Sequence, residues 1–263
     1  MLDFSSELKA RRVVVTGAAG IFGSWIAKAF ADAGAELLLT DADAARLDVA
    51  ARQIGDGAHL QHVADLTSDA DIQWLLSRIG EAWGAADVLV NNAGIYPSGF
   101  LLDITAQDWD RIFGINLRAP FLLSQGVARQ MIAKGVKGSI VNISSGASRK
   151  MRRTVVPYCA SKTALDRLNK GLALELAEFG IRVNIVEPGF APGSDVSHLT
   201  QEHIDNVTSS IPLGRPSAPQ DAATAVLYLA SEAASYVTGA TLTVDGGNSI
   251  GSLAVFQAKK TPL

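Results

Sequence analysis

Arg12-Val13-Val14-Val15-Thr16 runs without a break into Gly17-Ala18-Ala19-Gly20-Ile21-Phe22-Gly23, and this junction constrains the fold more than any other stretch. The first five residues are a short β-branched run, the mark of a buried strand. Ser24 to Ala33 has helical character and stops at Gly34. Strand, glycine turn and helix in direct succession are the context a dinucleotide loop requires. Glycines permit the tight turn and close backbone approach, and the helix N-terminus attracts a pyrophosphate. The bland alternative is a glycine-rich turn with no ligand.

A second strand, Glu36 to Thr40, ends at Asp41. An acidic side chain there can accept hydrogen bonds from the adenosine ribose hydroxyls and would repel a 2′-phosphate, so NAD is favoured over NADP. Asp43 competes for this role, and Asp41 could instead cap the following helix. A helix over Ala44–Ile54 and a strand near His59–Val63 lead to Asp65-Leu66, at a strand end where a loop could touch the adenine. A helix from Asp69 to Trp83 and a strand from Asp87 to Val90 follow, running into Asn91-Asn92-Ala93-Gly94. Alternating strands and helices with short turns predict a parallel, doubly wound Rossmann-type α/β sheet with helices on both faces. No linker, repeat or low-complexity segment divides the chain, so residues 1–263 are expected to be one domain.

Composition removes several classes. The net charge of -3 carries no nucleic-acid footprint. No apolar run reaches the roughly 18 residues of a membrane span. The first ten residues lack the pattern of a signal peptide, and the single cysteine, Cys159, allows no internal disulfide; a cytoplasmic protein is expected. Cys159 itself reads as a packing residue. His59, His62, His198 and His203 form no metal-ligand set, so no metal is expected.

The second half carries candidate chemistry. In Pro157-Tyr158-Cys159-Ala160-Ser161-Lys162, a helix would put Tyr158 and Lys162 on one face, a turn apart. A positive charge near a phenol favours the phenolate, which suits proton transfer to or from an alcohol or carbonyl oxygen. Alone, such a pair arises by chance too readily to carry weight. A helical stretch from Thr105 to Lys134 contains Asn116, and an apolar strand over 138–144 leads to Ser145. Either Ser144 or Ser145 could supply a hydroxyl from local chemistry. A helix from Tyr158 to about Gly180 carries Leu165, Leu168, Leu172 and Leu176 at core spacing. Ile181 to Val186 reads as a strand before Pro188-Gly189, Asp221 to Ala230 as a helix, and Thr241–Val244 as the last strand. Residues 190–212 have weak periodicity and read as a substrate lid. The tail from Ser249 to Leu263 is expected either to cross a subunit interface or to fray.

In order and spacing, these motifs resemble the short-chain dehydrogenase/reductase family, in its single-domain branch. The matching features run from Val13 to Gly247: Thr16-Gly17…Gly20…Gly23, Asp41, Asp65, Asn91-Asn92-Ala93-Gly94, Asn116, Ser145, Tyr158 with Lys162, Pro188-Gly189, and Val237-Thr238-Gly239…Val244-Asp245-Gly246-Gly247. One departure is the TGxxGxxG spacing, which leaves Ile21 where that branch usually has glycine. The resemblance selects Ser145 over Ser144. It implies Tyr158 as general acid/base, Lys162 stabilising the phenolate and holding the nicotinamide ribose, Ser145 donating to the substrate oxygen, and Asn116 holding a water beside Lys162. It implies an NAD site at Gly17, Gly20, Ile21, Phe22, Gly23, Asp41, Asp65, Leu66, Asn92, Ala93, Gly94, Tyr158, Lys162, Pro188, Gly189 and Phe190. The partners it implies are a small-molecule secondary alcohol or ketone and three further copies of the chain, as a homotetramer.

Two substrate signals conflict. Arg149, Lys150, Arg152 and Arg153 could recruit an acidic substrate, or form a solvated loop or an intersubunit contact. Tyr96, Phe100 and Phe190 suggest apolar walls suited to a cyclic or aromatic alcohol. Three other functions compete: a catalytically silent dinucleotide-binding regulator, an NADP-dependent ketoreductase, and an enoyl reductase. The complete set Asn116, Ser145, Tyr158 and Lys162 argues against the first. The four-residue Tyr–Lys spacing argues against the last.

Overall fold

A computed structural model of the chain describes residues 4–55, 59–193 and 199–253. Among these, seven strands form one sheet: β1 (Arg12–Thr16), β2 (Glu36–Asp41), β3 (Leu60–Val63), β4 (Val88–Asn91), β5 (Ser139–Ile143), β6 (Arg182–Pro188) and β7 (Thr241–Val244). Their order is β3-β2-β1-β4-β5-β6-β7, and every pairing is parallel. The chain winds outward from β1 to β3, then returns to β4 on the other side. That reversal opens a crevice beyond the C-terminal ends of β1 and β4, where ligands bind in such sheets.

Parallel strands need crossovers, and these are helical. After a single turn, α1 (Ser5–Leu8), come α2 (Ile21–Asp32), α3 (Ala44–Ile54), α4 (Asp69–Trp83), α5 (Ala106–Phe113), α6 (Ala119–Lys134), α7 (Val156–Leu176), α8 (Gln201–Ser209) and α9 (Pro219–Ala230). Alternate residues of β1 serve opposite cores. Val13 and Val15 pack with Ile26 and Phe30 of α2 and Val226 of α9. Val14 packs with Ile72 and Leu75 of α4 and Leu123 and Val127 of α6. Each fully buried side chain of this kind contributes roughly 1.5–3 kcal/mol. At the opposite end of the sheet, Arg12 clasps Asp87 through Nε–Oδ2 (2.7 Å) and Nη2–Oδ1 (2.8 Å), fixing β1 against β4 away from the crevice.

Four expectations need adjustment. Helix α2 begins at Ile21 rather than Ser24, because Gly20 is its N-cap rather than part of a longer turn. The stretch expected as one helix over Thr105–Lys134 is α5 and α6 joined by a π-helical turn, Gly114–Arg118. The strand expected over Ile181–Val186 is β6, reaching Pro188 because its end pairs with β7. The span 190–212, expected to lack regular structure, contains α8, capped by Thr200, whose Oγ1 accepts the His203 N–H at 3.2 Å. Residues 194–198 of that span, including His198, and the tail beyond residue 253 lie outside the described residues. Among the described residues, no helix is long and apolar enough to cross a membrane.

Candidate active site

The crevice is built from the first glycine turn and the end of β4, and the two are stitched together. Thr16 Oγ1 accepts the N–H groups of Asn92 and Ala93, both at 3.0 Å. Asn92 Nδ2 donates to the carbonyls of Thr16 (3.0 Å) and Gly17 (2.9 Å). The three glycines have different reasons. Gly17 has φ +62°, and a Cβ there would stand 2.7 Å from Ala93 Cα. A Cβ on Gly23 would collide with the Gly17 carbonyl and stand 2.7 Å from Asn92 Nδ2. Gly20 meets only Gly17 O, at 3.4 Å, so its open side faces the crevice. Gly17 and Gly23 are thus required by packing, and Gly20 is the one whose missing side chain leaves room for a ligand.

The crevice encloses about 580 Å³. Of the residues assigned to the cofactor from sequence, Gly17, Gly20, Ile21, Phe22, Asp41, Asp65, Leu66, Asn92, Ala93 and Gly94 line it. Gly23, Tyr158, Lys162, Pro188, Gly189 and Phe190 do not line it. Gly23 packs under the turn, and Gly189 lies against Asp245, where a Cβ would be 2.8 Å from the Asp245 Cα. Sequence reasoning missed Arg46, Arg111 and Ala191 in the lining. Arg46 lies one turn into α3, five residues past Asp41, a spacing that would have exposed it had the helix face been phased.

Asp41 ends β2 with both carboxylate oxygens engaged by backbone: Oδ2 accepts from Ala19 N (3.0 Å) and Oδ1 from Asp43 N (3.3 Å). Asp43 is the N-cap of α3, accepting the Arg46 N–H at 3.0 Å, so the capping role falls to it rather than to Asp41. Arg46 Nη2 donates to the Ala19 carbonyl at 3.2 Å. Asp65 closes its own turn, accepting from Thr67 N (2.9 Å) and Thr67 Oγ1 (2.8 Å).

Beside this crevice the second half of the chain brings Asn116, Ser145, Tyr158 and Lys162 together. Pro157 stands in the first turn of α7, where its missing N–H leaves no bond unmade, so Tyr158 and Lys162 sit on successive turns. Ser145 follows β5, and its Oγ accepts the Ala147 N–H at 3.2 Å. Ser145 lies close enough to Tyr158 to lower the pKa of its phenol. The Tyr158 ring lies 5.9 Å from that of Tyr96, a residue of the crevice wall. Lys162 is buried, with Nζ 5.9 Å from the centre of the Tyr158 ring and donating to the Ile143 carbonyl at 2.8 Å. Gly94 separates the crevice from this set: a Cβ there would be 3.4 Å from Asn116 Oδ1 and 3.5 Å from Lys162 Nζ.

Asn116 is fully buried in the π turn, and its amide is committed. Oδ1 accepts from Ile95 N (2.9 Å), while Nδ2 donates to Ile95 O (2.9 Å) and Ser161 Oγ (3.1 Å). The side chain therefore fastens the segment after Gly94 to α7, and no hydrogen of Nδ2 is left for a water beside Lys162.

The electrostatics run opposite to the simple sequence argument. Burial pushes the Tyr158 phenol above its ordinary value, against the lowering effects of nearby Ser145 and of the Arg152 charge. Burial also pulls the Lys162 ammonium down to about 8. Proximity of a lysine was expected to favour phenolate; burial is instead the largest effect on the phenol, and the charge that lowers it is that of Arg152.

The basic loop is not a uniform cationic patch. Arg149 pairs with buried Glu187 at 2.7 Å, and Arg153 lies over the Phe100 ring at 5.9 Å. Cys159 is buried, as a packing residue would be. No cluster of three potential metal ligands occurs among the described residues.

Residues 17–249 match the family profile described as enoyl-(acyl carrier protein) reductase. Galactitol 2-dehydrogenase of Agrobacterium fabrum is 34% identical over 253 residues, covering 92% of this chain and 98% of that protein. A short-chain type dehydrogenase/reductase of Mycobacterium marinum superposes with a TM-score of 0.88 at 32% identity, over 95% of this chain and 98% of the other. A gluconate 5-dehydrogenase of Burkholderia cenocepacia, solved with NADP and tartrate, superposes with a TM-score of 0.86 at 33% identity, over 95% and 98%. A family profile over most of the chain and full-length relatives above 30% identity agree: the chain belongs to the short-chain dehydrogenase/reductase family.

Proposed function

We propose that this protein interconverts a secondary alcohol and a ketone using NAD, with Tyr158 as the general acid/base. The observation that carries the reading is the Tyr158 phenol, with Lys162 Nζ 5.9 Å from its ring and Ser145 near it, set against Tyr96 in the wall of a crevice shaped for a dinucleotide. The crevice fits such a cofactor because Gly20 leaves open space at the N-terminus of α2 and Asp41 offers a carboxylate at the end of β2. Gly17, Gly20, Ile21 and Phe22 would hold the phosphates, Asp41 the adenosine ribose, and Asp65 with Leu66 the adenine. When bound, the nicotinamide supplies the hydride acceptor or donor.

The remaining chemistry belongs to the chain. In oxidation, Tyr158 takes the proton of the substrate hydroxyl; in reduction it returns one to the carbonyl oxygen. Ser145 donates to that oxygen and holds it against Tyr158. Lys162 holds the Ile143 carbonyl and keeps positive charge near the phenol, and Asn116 fixes the wall beside both. The hydroxylated substrates named for the relatives support a polyol or sugar acid as the alcohol.

NADP is the second reading. Arg46 lies in the crevice wall, where a guanidinium could meet a 2′-phosphate, and the Burkholderia structure holds NADP. Asp41 favours NAD, since a phosphate beside a carboxylate is repelled. We also read the assembly as a homotetramer, supported by the exposed apolar residues Trp109 on α5 and Leu174 on α7. Light scattering tests that point.

The functional test is dinucleotide reduction with a panel of polyols, sugar acids and cyclic secondary alcohols. It is run with NAD and NADP, on the native protein and on Tyr158→Phe. Turnover with NAD that Tyr158→Phe abolishes, while NAD still binds, is the expected result. Binding without turnover across the panel would identify a dinucleotide sensor, and reduction of an enoyl thioester alone an enoyl reductase.

A further inference from the structure

We propose that Glu187 is a positioning residue for Ser145, clamping the turn that carries this hydroxyl; the proposal rests on the role given to Ser145 above. Glu187 lies on β6 directly before Pro188 and is 1% exposed, in a strand whose other buried residues include Val183, Ile185 and Val186. A carboxylate in such a run is costly to bury unless it is paired and hydrogen-bonded, and an apolar residue would fill the space more simply. Its partners all lie on the Ser145 turn or on β7. Ser148 Oγ donates to Oε1. Arg149 Nη2 donates to Oε2 at 2.7 Å, and Thr243 Oγ1 donates to the same oxygen at 2.9 Å.

Ser148 is the node through which the carboxylate acts. Its N–H donates to the Ser145 carbonyl at 2.9 Å, and its own carbonyl accepts Thr163 Oγ1 at 2.7 Å. Thr163 follows Lys162 on α7, so the same residue joins the Ser145 turn to the helix that carries Tyr158. Arg149 extends the clamp, donating to Thr243 Oγ1 and Ser249 Oγ, both at 2.9 Å. Ser249 in turn lies over the turn: a Cβ on Gly146 would be 3.0 Å from Ser249 Cβ. None of Glu187, Ser148, Arg149 or Thr243 lines the dinucleotide crevice. Loosening this clamp should misplace the Ser145 hydroxyl and leave the cofactor's site as it is.

The variant is Glu187→Gln, which keeps shape and one acceptor oxygen but removes the charge. With the best substrate of the panel, kcat should fall on the order of 10- to 100-fold, the penalty for a catalytic hydroxyl moved by a fraction of an ångström. The dissociation constant for NAD, followed by fluorescence titration, should stay the same. The readout specific to positioning is a double-mutant cycle in single-turnover hydride transfer: on a Ser145→Ala background, Glu187→Gln should cost no more than about twofold. Ser148→Ala is the second variant and should repeat the pattern if Glu187→Gln folds poorly. Full activity in both variants, equal losses with and without Ser145, or a parallel loss of NAD affinity would each overturn the proposal. The native protein is the control: no turnover with any alcohol or ketone defeats the functional reading itself, whereas native turnover with indifferent variants defeats only the role of Glu187.

Discussion

Lys162→Met should stabilise the protein at neutral pH and destabilise it in alkali, so that its stability curve crosses that of the native protein. Lys162 is 4% exposed, and burial lowers its pKa from 10.5 to about 8. At about 1.4 kcal/mol per pH unit, this corresponds to ~3 kcal/mol spent on holding the ammonium out of water. The sign follows from proton binding. Between about 8 and 10.5 the unfolded chain holds a proton on this lysine that the folded chain has released, so native stability rises with pH across that window. The cost is fully present below pH 8 and gone above 10.5. Methionine keeps the apolar stem and removes the charge, but it leaves the Ile143 carbonyl without the bond at 2.8 Å, a loss of about 1–3 kcal/mol at any pH. The variant should therefore be more stable than the native protein by up to about 2 kcal/mol at neutral pH, and less stable by about 1–3 kcal/mol above pH 10.5. Urea unfolding from pH 7 to 11, followed by fluorescence of the four tryptophans, measures both curves, and other titrations cancel in the difference. Curves that stay parallel through the window would refute the claim that Lys162 is held charged against burial.

The raised pKa of Tyr158 makes it a proton donor at neutral pH. Alcohol oxidation should therefore quicken as pH rises into the alkaline range while ketone reduction slows, and steady-state rates in both directions check this. Arg152→Gln removes a charge that lowers the phenol, so it should move the oxidation profile to higher pH; an unmoved profile would show that Arg152 does not reach Tyr158. Gly23→Ala should destabilise the fold by about 1–3 kcal/mol or more through overpacking, whereas Gly20→Ala should leave thermal stability nearly intact and weaken cofactor binding. Asp41→Asn should narrow the preference for NAD over NADP by about tenfold, read as the ratio of kcat/KM values, because a like-charge contact is removed.

The parts of the fold legible in the sequence are those whose cause is local. Strands β1 and β2 show as apolar or β-branched runs because a central parallel strand is buried on both faces, whereas β7, at the edge of the sheet with no buried residue, shows by its β-branched residues alone. Helix α8 was illegible because it has no buried residue and, in nine residues, only Ile204 and Val207 are apolar, too few to set a period. The π turn was illegible for another reason. Nothing in Gly-Ile-Asn-Leu-Arg stops a helix, and Asn116 is engaged instead by Ile95, 21 residues earlier in the chain. The pairing of Tyr158 with Lys162 could be read from spacing, but its electrostatic outcome could not, since spacing reports proximity and not the water lost around both groups. Glu187 had a visible signal, a single acid closing an apolar strand.

Lys162 and Glu187 are both charges buried near the ends of β5 and β6, and neither is the other's partner. A fold selected for stability alone would replace each with an apolar residue. Their placement suggests what they hold in common. Lys162 fastens the Ile143 carbonyl, two residues before Ser145, and Glu187 fastens the Ser148 hydroxyl, three residues after it. The short segment carrying the candidate hydroxyl is thus gripped at both ends, from α7 on one side and β6 on the other. This has a consequence for mutagenesis at Lys162. Activity lost in Lys162→Met would combine lost support for the phenol with a freed Ser145 turn, and turnover alone would not separate them. The two parts differ in what Glu187→Gln does on that background. If Lys162 acts mainly through the phenol, the losses multiply; if it acts mainly by fixing the turn, the second substitution adds little, because the turn is already loose.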